Sequence, residues 1–215
     1  MDKWIESHLC LPEGVSIRDE KENAYSHFAG IIIALISLIY LLGRDSLYPK
    51  TGMIVFALSN LVLYAASSFY HCIRVSNAKR ILRVLDHSSI YFLIAGSYTP
   101  ILMHVGTPLA RAYAAAMWLA VLAAIAMTLL FWGRFKVFHV ILYIAMGWSI
   151  VLFRDSILPA VPSGLFKYML TGGIIYTIGV AFYAAKPIPH HHLIWHLFVL
   201  AGSLSFIIGY TIYLF

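Results

Sequence analysis

The amino-acid sequence predicts an all-α protein, a bundle of seven transmembrane helices with its N-terminus in the cytoplasm and its C-terminus outside. Three observations predict it. Of 215 residues, 61% are hydrophobic and only 11% charged, against roughly 25% charged in ordinary soluble domains. The mean hydropathy is +0.84. The apolar residues also fall in long continuous runs, each close to the roughly 20 residues that a helix needs to cross a bilayer. Strands of a membrane barrel would instead alternate apolar and polar positions.

The runs follow one another along the chain. The first covers Ala24–Leu42. A polar, acidic tail, residues 1–23, precedes it, so a cleavable signal peptide is not expected. Within the tail, Trp4, Ile5, Leu9 and Leu11 suit a membrane surface. Asp19 and Glu22, three residues apart, read as a capping pair before the first helix. The next runs are Gly52–His71, Leu85–Val105, Leu109–Trp132, Val137–Phe153, Phe166–Ala185 and His192–Leu214. Short connections join them, which predicts one transmembrane domain over residues 24–215 with no linker. Glycines such as Gly30, Gly96, Gly172 and Gly202 read as points of close helix packing.

Charge sets the orientation. The net charge is +6, and in a membrane protein basic loops set topology, so no nucleic-acid partner is expected. With the N-terminus inside, ten of the fifteen Lys and Arg residues fall on the inner side, concentrated between residues 72 and 84. Five fall outside: Arg44, Lys50, Arg111, Arg154 and Lys167. The expected location is the inner, or plasma, membrane, crossed several times. Cys10 and Cys72 are too few for a disulfide framework.

The informative residues are the polar ones in apolar surroundings. Six of the nine acids lie between Asp2 and Glu22, and Asp45 and Asp155 are expected in outer loops. The ninth, Asp86, opens the third run, where an ionisable group is costly and ordinarily faces the bundle interior. The plain alternative is an interfacial Asp86 that pairs with Arg83 or caps a helix. His71 closes the second run, and His192 and His196 open the seventh. Because direction alternates, the end of run two and the starts of runs three and seven share one side of the membrane. His71, Asp86, His192 and His196 therefore stand at one level in either absolute orientation.

Spacing adds to this. His192 and His196 are four residues apart and project from one helix face, a geometry that can hold one metal ion. Ser67 and His71 share a face in the same way. Three histidines with a water in the fourth position form a catalytic zinc arrangement, and zinc brings the pKa of its water to about 7. Asp86 is then placed to hold that water and take its proton. Ser67 is placed to orient His71 or to donate to a developing oxyanion. His8, His104 and His139 read as interfacial residues, His190 and His191 as loop or headgroup contacts. Cys72 points about 100° away from His71.

Taken in order, these motifs resemble the hemolysin III family, the bacterial branch of the progestin and adipoQ receptor family, itself similar to alkaline ceramidases. The resemblance covers about residues 20–210. Glu20, Asn23, Ser26 and His27 match a pattern ExxNxxSH before the first membrane helix. Ser67-Ser68-Phe69-Tyr70-His71 matches SxxxH, Leu85-Asp86-His87 the start of the third helix, and His192-Leu193-Ile194-Trp195-His196 the HxxxH of the seventh. The resemblance implies that His71, His192 and His196 bind zinc, that Asp86 holds a zinc-bound water and that Ser67 lies beside it. One departure is Phe206, where many bacterial members carry a histidine.

The expected function is a zinc-dependent hydrolase of a lipid amide or ester at the cytoplasmic leaflet, with a membrane lipid as substrate or ligand. The alternative is a non-enzymatic regulator or sensor of membrane homeostasis with a structural zinc. Cytolysis is implied by the family name alone. A transporter is disfavoured, because the ionisable groups cluster at one face. The oligomeric state stays open, and a homo-oligomer is compatible with the sequence.

Overall fold

A bilayer offers no hydrogen bonds, so spanning backbone must satisfy its own N–H and C=O groups. The structure, a computed structural model, meets that demand with an all-α fold. It describes residues 2–12, 14–44 and 50–214, apart from the side chains of Asp2 and Lys136; Asp45, expected in an outer loop, lies outside them, as do Glu13 and Phe215. The elements are α1 (Asp2–His8), α2 (Ile17–Leu42), α3 (Thr51–Cys72), α4 (Asn77–Val105), α5 (Pro108–Leu130) and α6 (Lys136–Trp148). A 3-10 turn (Ser149–Phe153), α7 (Arg154–Ile157) and a second 3-10 turn (Leu158–Ala160) continue α6, and α8 (Ser163–Ala184) and α9 (His191–Tyr213) complete the chain.

Among the described residues, six helical stretches are long and apolar enough to cross a membrane: Ile17–Leu42, Thr51–Cys72, Pro108–Leu130, Val137–Ala160, Ser163–Ala184 and His191–Tyr213. The expected third span, Leu85–Val105, lies within α4, which is not one of them. α4 packs against α1, α3, α5 and α6 and buries Ser88, Ser89, Ser97 and Thr99. Its neighbours are protein rather than lipid, so it has less need of apolar composition.

Helix ends explain where the boundaries move. α2 begins at Ile17, before the apolar run, because Ser16 is its N-cap: its Oγ accepts from Asp19 N–H at 3.0 Å and donates to Asp19 Oδ2 at 2.8 Å. The cap is thus Ser16 with Asp19, three residues earlier than the expected Asp19–Glu22 pair. α4 begins at Asn77 on the Ser76 cap, so much of the basic stretch expected as a loop is helical. Thr107 caps α5, with Pro108 at its first position, where a missing N–H costs nothing. Gly106, at φ 64°, closes α4 in the left-handed region open to glycine.

Packing runs α2–α3–α4–α5 on one side and α6–α8–α9 on the other, with α2 against α9 closing the ring. α2 presents a narrow stripe to the bundle, Asn23, Ala24, His27, Gly30 and Ala34, and exposes Phe28, Ile32, Ile36 and Ile39. The stop of α6 at Trp148 would strand backbone groups, and side chains take them up. Tyr98 Oη donates to Gly147 O at 2.5 Å and accepts from Ile150 N–H at 3.4 Å, while Ser149 Oγ donates to Met146 O at 2.6 Å. In α4, Pro100 removes one ladder donor, and the Tyr210 hydroxyl of α9 donates to Ser97 O. Outside the main core, Ile5 of α1 and Leu9 just after it pack on Val84 and Trp132, and Arg80 donates to Leu9 O at 2.8 Å.

Where α3 starts against α4, a Cβ on Gly52 would stand 2.8 Å from the Pro100 Cα. Backbone cannot swing aside as a side chain can. Gly52→Ala is expected to destabilise the fold by about 1–3 kcal/mol, read as a lower thermal unfolding midpoint of the detergent-purified protein.

Candidate metal centre

The start of α2, the end of α3 and the starts of α4 and α9 meet at one end of the bundle. His71 from α3 and His192 and His196 from α9 converge there, each offering a ring nitrogen, and these atoms all lie within 4.8 Å of one another. The ring centroids are 5.2 Å apart for His71–His192, 5.4 Å for His71–His196 and 4.5 Å for His192–His196. His196 Nε2 and His192 Nε2 are 3.1 Å apart. Two nitrogens bound to one tetrahedral zinc at 2.0–2.1 Å would be about 3.3 Å apart. The cluster therefore has the dimensions of a metal site.

The hydrogen bonds behind the rings point the same way. His71 Nδ1 lies 2.7 Å from Glu20 Oε2, and its Nε2 is buried with no hydrogen-bond partner. A carboxylate accepts only, so Nδ1 carries the proton and Nε2 presents a lone pair to the cluster. His196 Nδ1 lies 3.2 Å from Asn23 O and 3.0 Å from Ser26 Oγ, which itself donates to Asn23 O at 2.8 Å. Its Nε2 then also presents a lone pair. The His71 Nε2 is a buried acceptor without a donor, which costs about 1–3 kcal/mol, and a cation among the three rings would satisfy it. These residues fit a metal ion held by imidazole nitrogen, a ligand that suits zinc among other divalent metals.

The other residues singled out in the sequence fall around this centre. Ser67 is fully buried on the His71 face of α3, and its Oγ has no hydrogen-bond partner. Asp86 lies at the same end but outside the group of converging ligand atoms. Its side chain is 14% exposed, and its Oδ2 approaches His87 Nδ1 at 3.8 Å. Arg83, the ion-pair partner considered for Asp86, instead donates to Cys10 O and lies 5.3 Å over the Trp132 ring. Cys72 is exposed and takes no part. His8 stacks on Trp4, and His139 Nδ1 lies 2.7 Å from Tyr91 Oη. Phe206 stacks on Tyr176 and would meet any Cβ added at Gly172, so it packs as core.

His190 differs from its sequence reading. It pairs with Glu22 Oε2 at 2.9 Å and Asp19 Oδ1 at 3.3 Å, tying the start of α9 to the start of α2. The larger omission is α2 itself. Glu20 reads as one acid of a tail, yet it accepts at the back of His71. His27 is buried, with neither ring nitrogen hydrogen-bonded, and stacks on His196 at 3.6 Å. The spacing of Glu20, Asn23 and His27 at i, i+3 and i+7 is the signal that could have placed them on one inward face.

A seven-residue spacing of polar groups opening a membrane helix, a buried triad of histidines and an all-α bundle define a class of integral membrane proteins with a candidate metal centre. Comparison with known proteins names the family. The sequence matches the haemolysin-III-related family over residues 15–207, and the chain belongs to it. It is 34% identical over 194 residues to the "Hemolysin-3 homolog" of Bacillus subtilis (strain 168), covering 87% of this chain and 91% of that relative. It is 33% identical over 192 residues to the "Hemolysin-3" of Bacillus cereus, covering 87% and 88%. To the human "Monocyte to macrophage differentiation factor" it is 31% identical over 192 residues, covering 84% and 78%.

Elemental analysis of detergent-purified protein, prepared without chelators, checks the centre. About one zinc per chain is expected from three converging imidazoles, lost in the His192→Ala/His196→Ala double variant. Equal metal content in both would remove these histidines as ligands.

Proposed function

We propose that this chain is a seven-helix membrane hydrolase that cleaves an amide or ester bond of a membrane lipid. The observation that carries the reading is the set of three converging imidazoles with no fourth protein ligand. A structural zinc site is ordinarily closed by four protein ligands, whereas a catalytic one keeps a position open. Here Asp86 stays outside the ligand group, and no other described residue joins it.

His71, His192 and His196 would hold the metal. When bound, zinc supplies a Lewis acid for the carbonyl and makes hydroxide available at neutral pH. Asp86 is the general base that takes a proton from the attacking water. It then passes that proton to the leaving nitrogen or oxygen as the acyl bond breaks. Ser67 Oγ, buried and without a hydrogen-bond partner, donates to the carbonyl oxygen as that atom gains charge.

The lipid reading is supported by a cavity of about 310 Å³ inside the bundle. Its walls are mostly apolar and include Leu93, Ile94, Val180 and Val199, with Trp195 and Phe206. Trp195 and Val199 belong to α9, the helix that carries His192 and His196. Its size is at the lower end of small-molecule pockets, suited to one hydrocarbon chain. α4 is the seventh span in this reading. Ten of fifteen basic residues lie on the side of the triad when the N-terminus is inside, which supports a site at the cytoplasmic leaflet of the plasma membrane.

Hydrolysis of a fluorescent short-chain ceramide and of an ester analogue, by protein in lipid nanodiscs, tests this. Asp86→Asn is expected to lower kcat by about 100-fold or more, as for loss of a general base, and His71→Ala to abolish turnover. Equal rates for His71→Ala and wild type would refute the hydrolase.

A further inference from the structure

We propose that the opening turns of α2, together with Lys79 of α4, set the metal affinity of the site by fixing which nitrogen of His71 and of His196 carries the proton. The proposal rests on the metal-binding reading above. It assigns positioning roles to Glu20, Lys79 and Ser26, none of which touches the metal.

Lys79 is buried, and all three of its ammonium hydrogens have acceptors. Nζ donates to Glu20 Oε1 at 2.9 Å, Tyr70 O at 3.0 Å and Ile73 O at 3.1 Å. The two carbonyls belong to the C-terminal turn of α3, the turn that carries His71. The other oxygen of Glu20 faces His71 Nδ1 at 2.7 Å. One carboxylate therefore joins a buried cation to a ligand imidazole and links α2, α3 and α4. The cation keeps Glu20 ionised and so an acceptor on both oxygens. His71 is left one arrangement, with the proton on Nδ1 and the lone pair on Nε2.

The second tether is on the same helix face. The Asn23 carbonyl and Ser26 Oγ both stand behind His196 Nδ1, at 3.2 and 3.0 Å. A backbone carbonyl can only accept, so His196 is held in the same tautomer. His27 stacks at 3.6 Å on the His196 ring, 11° from parallel, and restricts its tilt. Two of the three ligands are thus oriented from α2. Outer partners of metal-bound histidines commonly change metal affinity by 10–100-fold when removed.

An ion pair that merely packs helices would also stabilise the protein, so the test must separate the two. In Glu20→Gln, Lys79 still demands an acceptor and claims the amide oxygen. The amide NH2 then faces His71 Nδ1, which must accept, and the proton moves to Nε2, where it blocks the metal. Removing Lys79 as well frees the amide to turn its oxygen to His71. Zinc affinity of the full-length purified protein is measured by chelator competition, with Co2+ absorption as a geometric readout and the unfolding midpoint of the metal-free protein as a control.

Glu20→Gln is expected to weaken zinc binding by about 10–100-fold, and Glu20→Gln/Lys79→Met to recover most of that loss. Ser26→Ala is expected to lose only a few-fold, because the Asn23 carbonyl remains. Affinity of Glu20→Gln within about twofold of wild type overturns the proposal. So does a double variant as weak as the single one whose loss follows the fall in metal-free stability. Wild type that binds neither zinc nor cobalt removes the underlying metal reading as well, which distinguishes the two failures.

Discussion

Three imidazoles turned toward one another inside a membrane bundle impose the constraint on which the rest depends. Ring nitrogens held there need partners that bulk water cannot provide. In an apolar interior each unmet group costs free energy of the order of a whole hydrogen bond. The protein concentrates the answer at one end of the bundle. Glu20, the Asn23 carbonyl and Ser26 Oγ meet the outer nitrogens of His71 and His196. Lys79 neutralises Glu20 and also takes up two carbonyls of the α3 terminus. The half-buried carboxylate thus faces a cation on one oxygen and an imidazole on the other.

The opposite half of the bundle solves a different problem with neutral groups. There α6 breaks into 3-10 turns and Pro100 interrupts α4, so backbone atoms lose their ladder partners. Hydroxyls of Tyr98 and Ser149 meet backbone atoms at the break in α6, and Trp148 Nε1 donates to Thr177 Oγ1 at 3.0 Å. Irregular backbone at membrane depth is tolerated only when protein covers it. Tyr98, Trp148 and Thr177 of this region also form part of the wall of the apolar cavity. Membership of the haemolysin-III-related family agrees with this layout and leaves the reaction to be decided by the site.

The convergence of the three histidines was legible in the sequence. Alternating helix direction puts the end of the second run and the start of the seventh on one side, and the i, i+4 spacing of His192 and His196 gives them one face. The Ser67–His71 face follows by the same rule. Helix boundaries were less legible, because caps rather than hydropathy decide them. Ser16 and Ser76 start α2 and α4 before their apolar stretches, and so turn Glu20 from a tail residue and Lys79 from a loop residue into helical partners in one ion pair. Hydropathy also could not weigh α4, whose surroundings are protein.

The sequence by itself determined that the chain is helical, that it belongs in a membrane and that three histidines share one level. Those properties follow from composition and from periodicities local to each helix. Only the tertiary structure decided that Glu20 meets both His71 and Lys79, that His27 lies on His196, and that Asp86 stands outside the ligand group. Each of these depends on how helices distant in sequence rotate and approach. Small residues such as Ala24, Gly30 and Ala34 permit that approach, but no single helix encodes it.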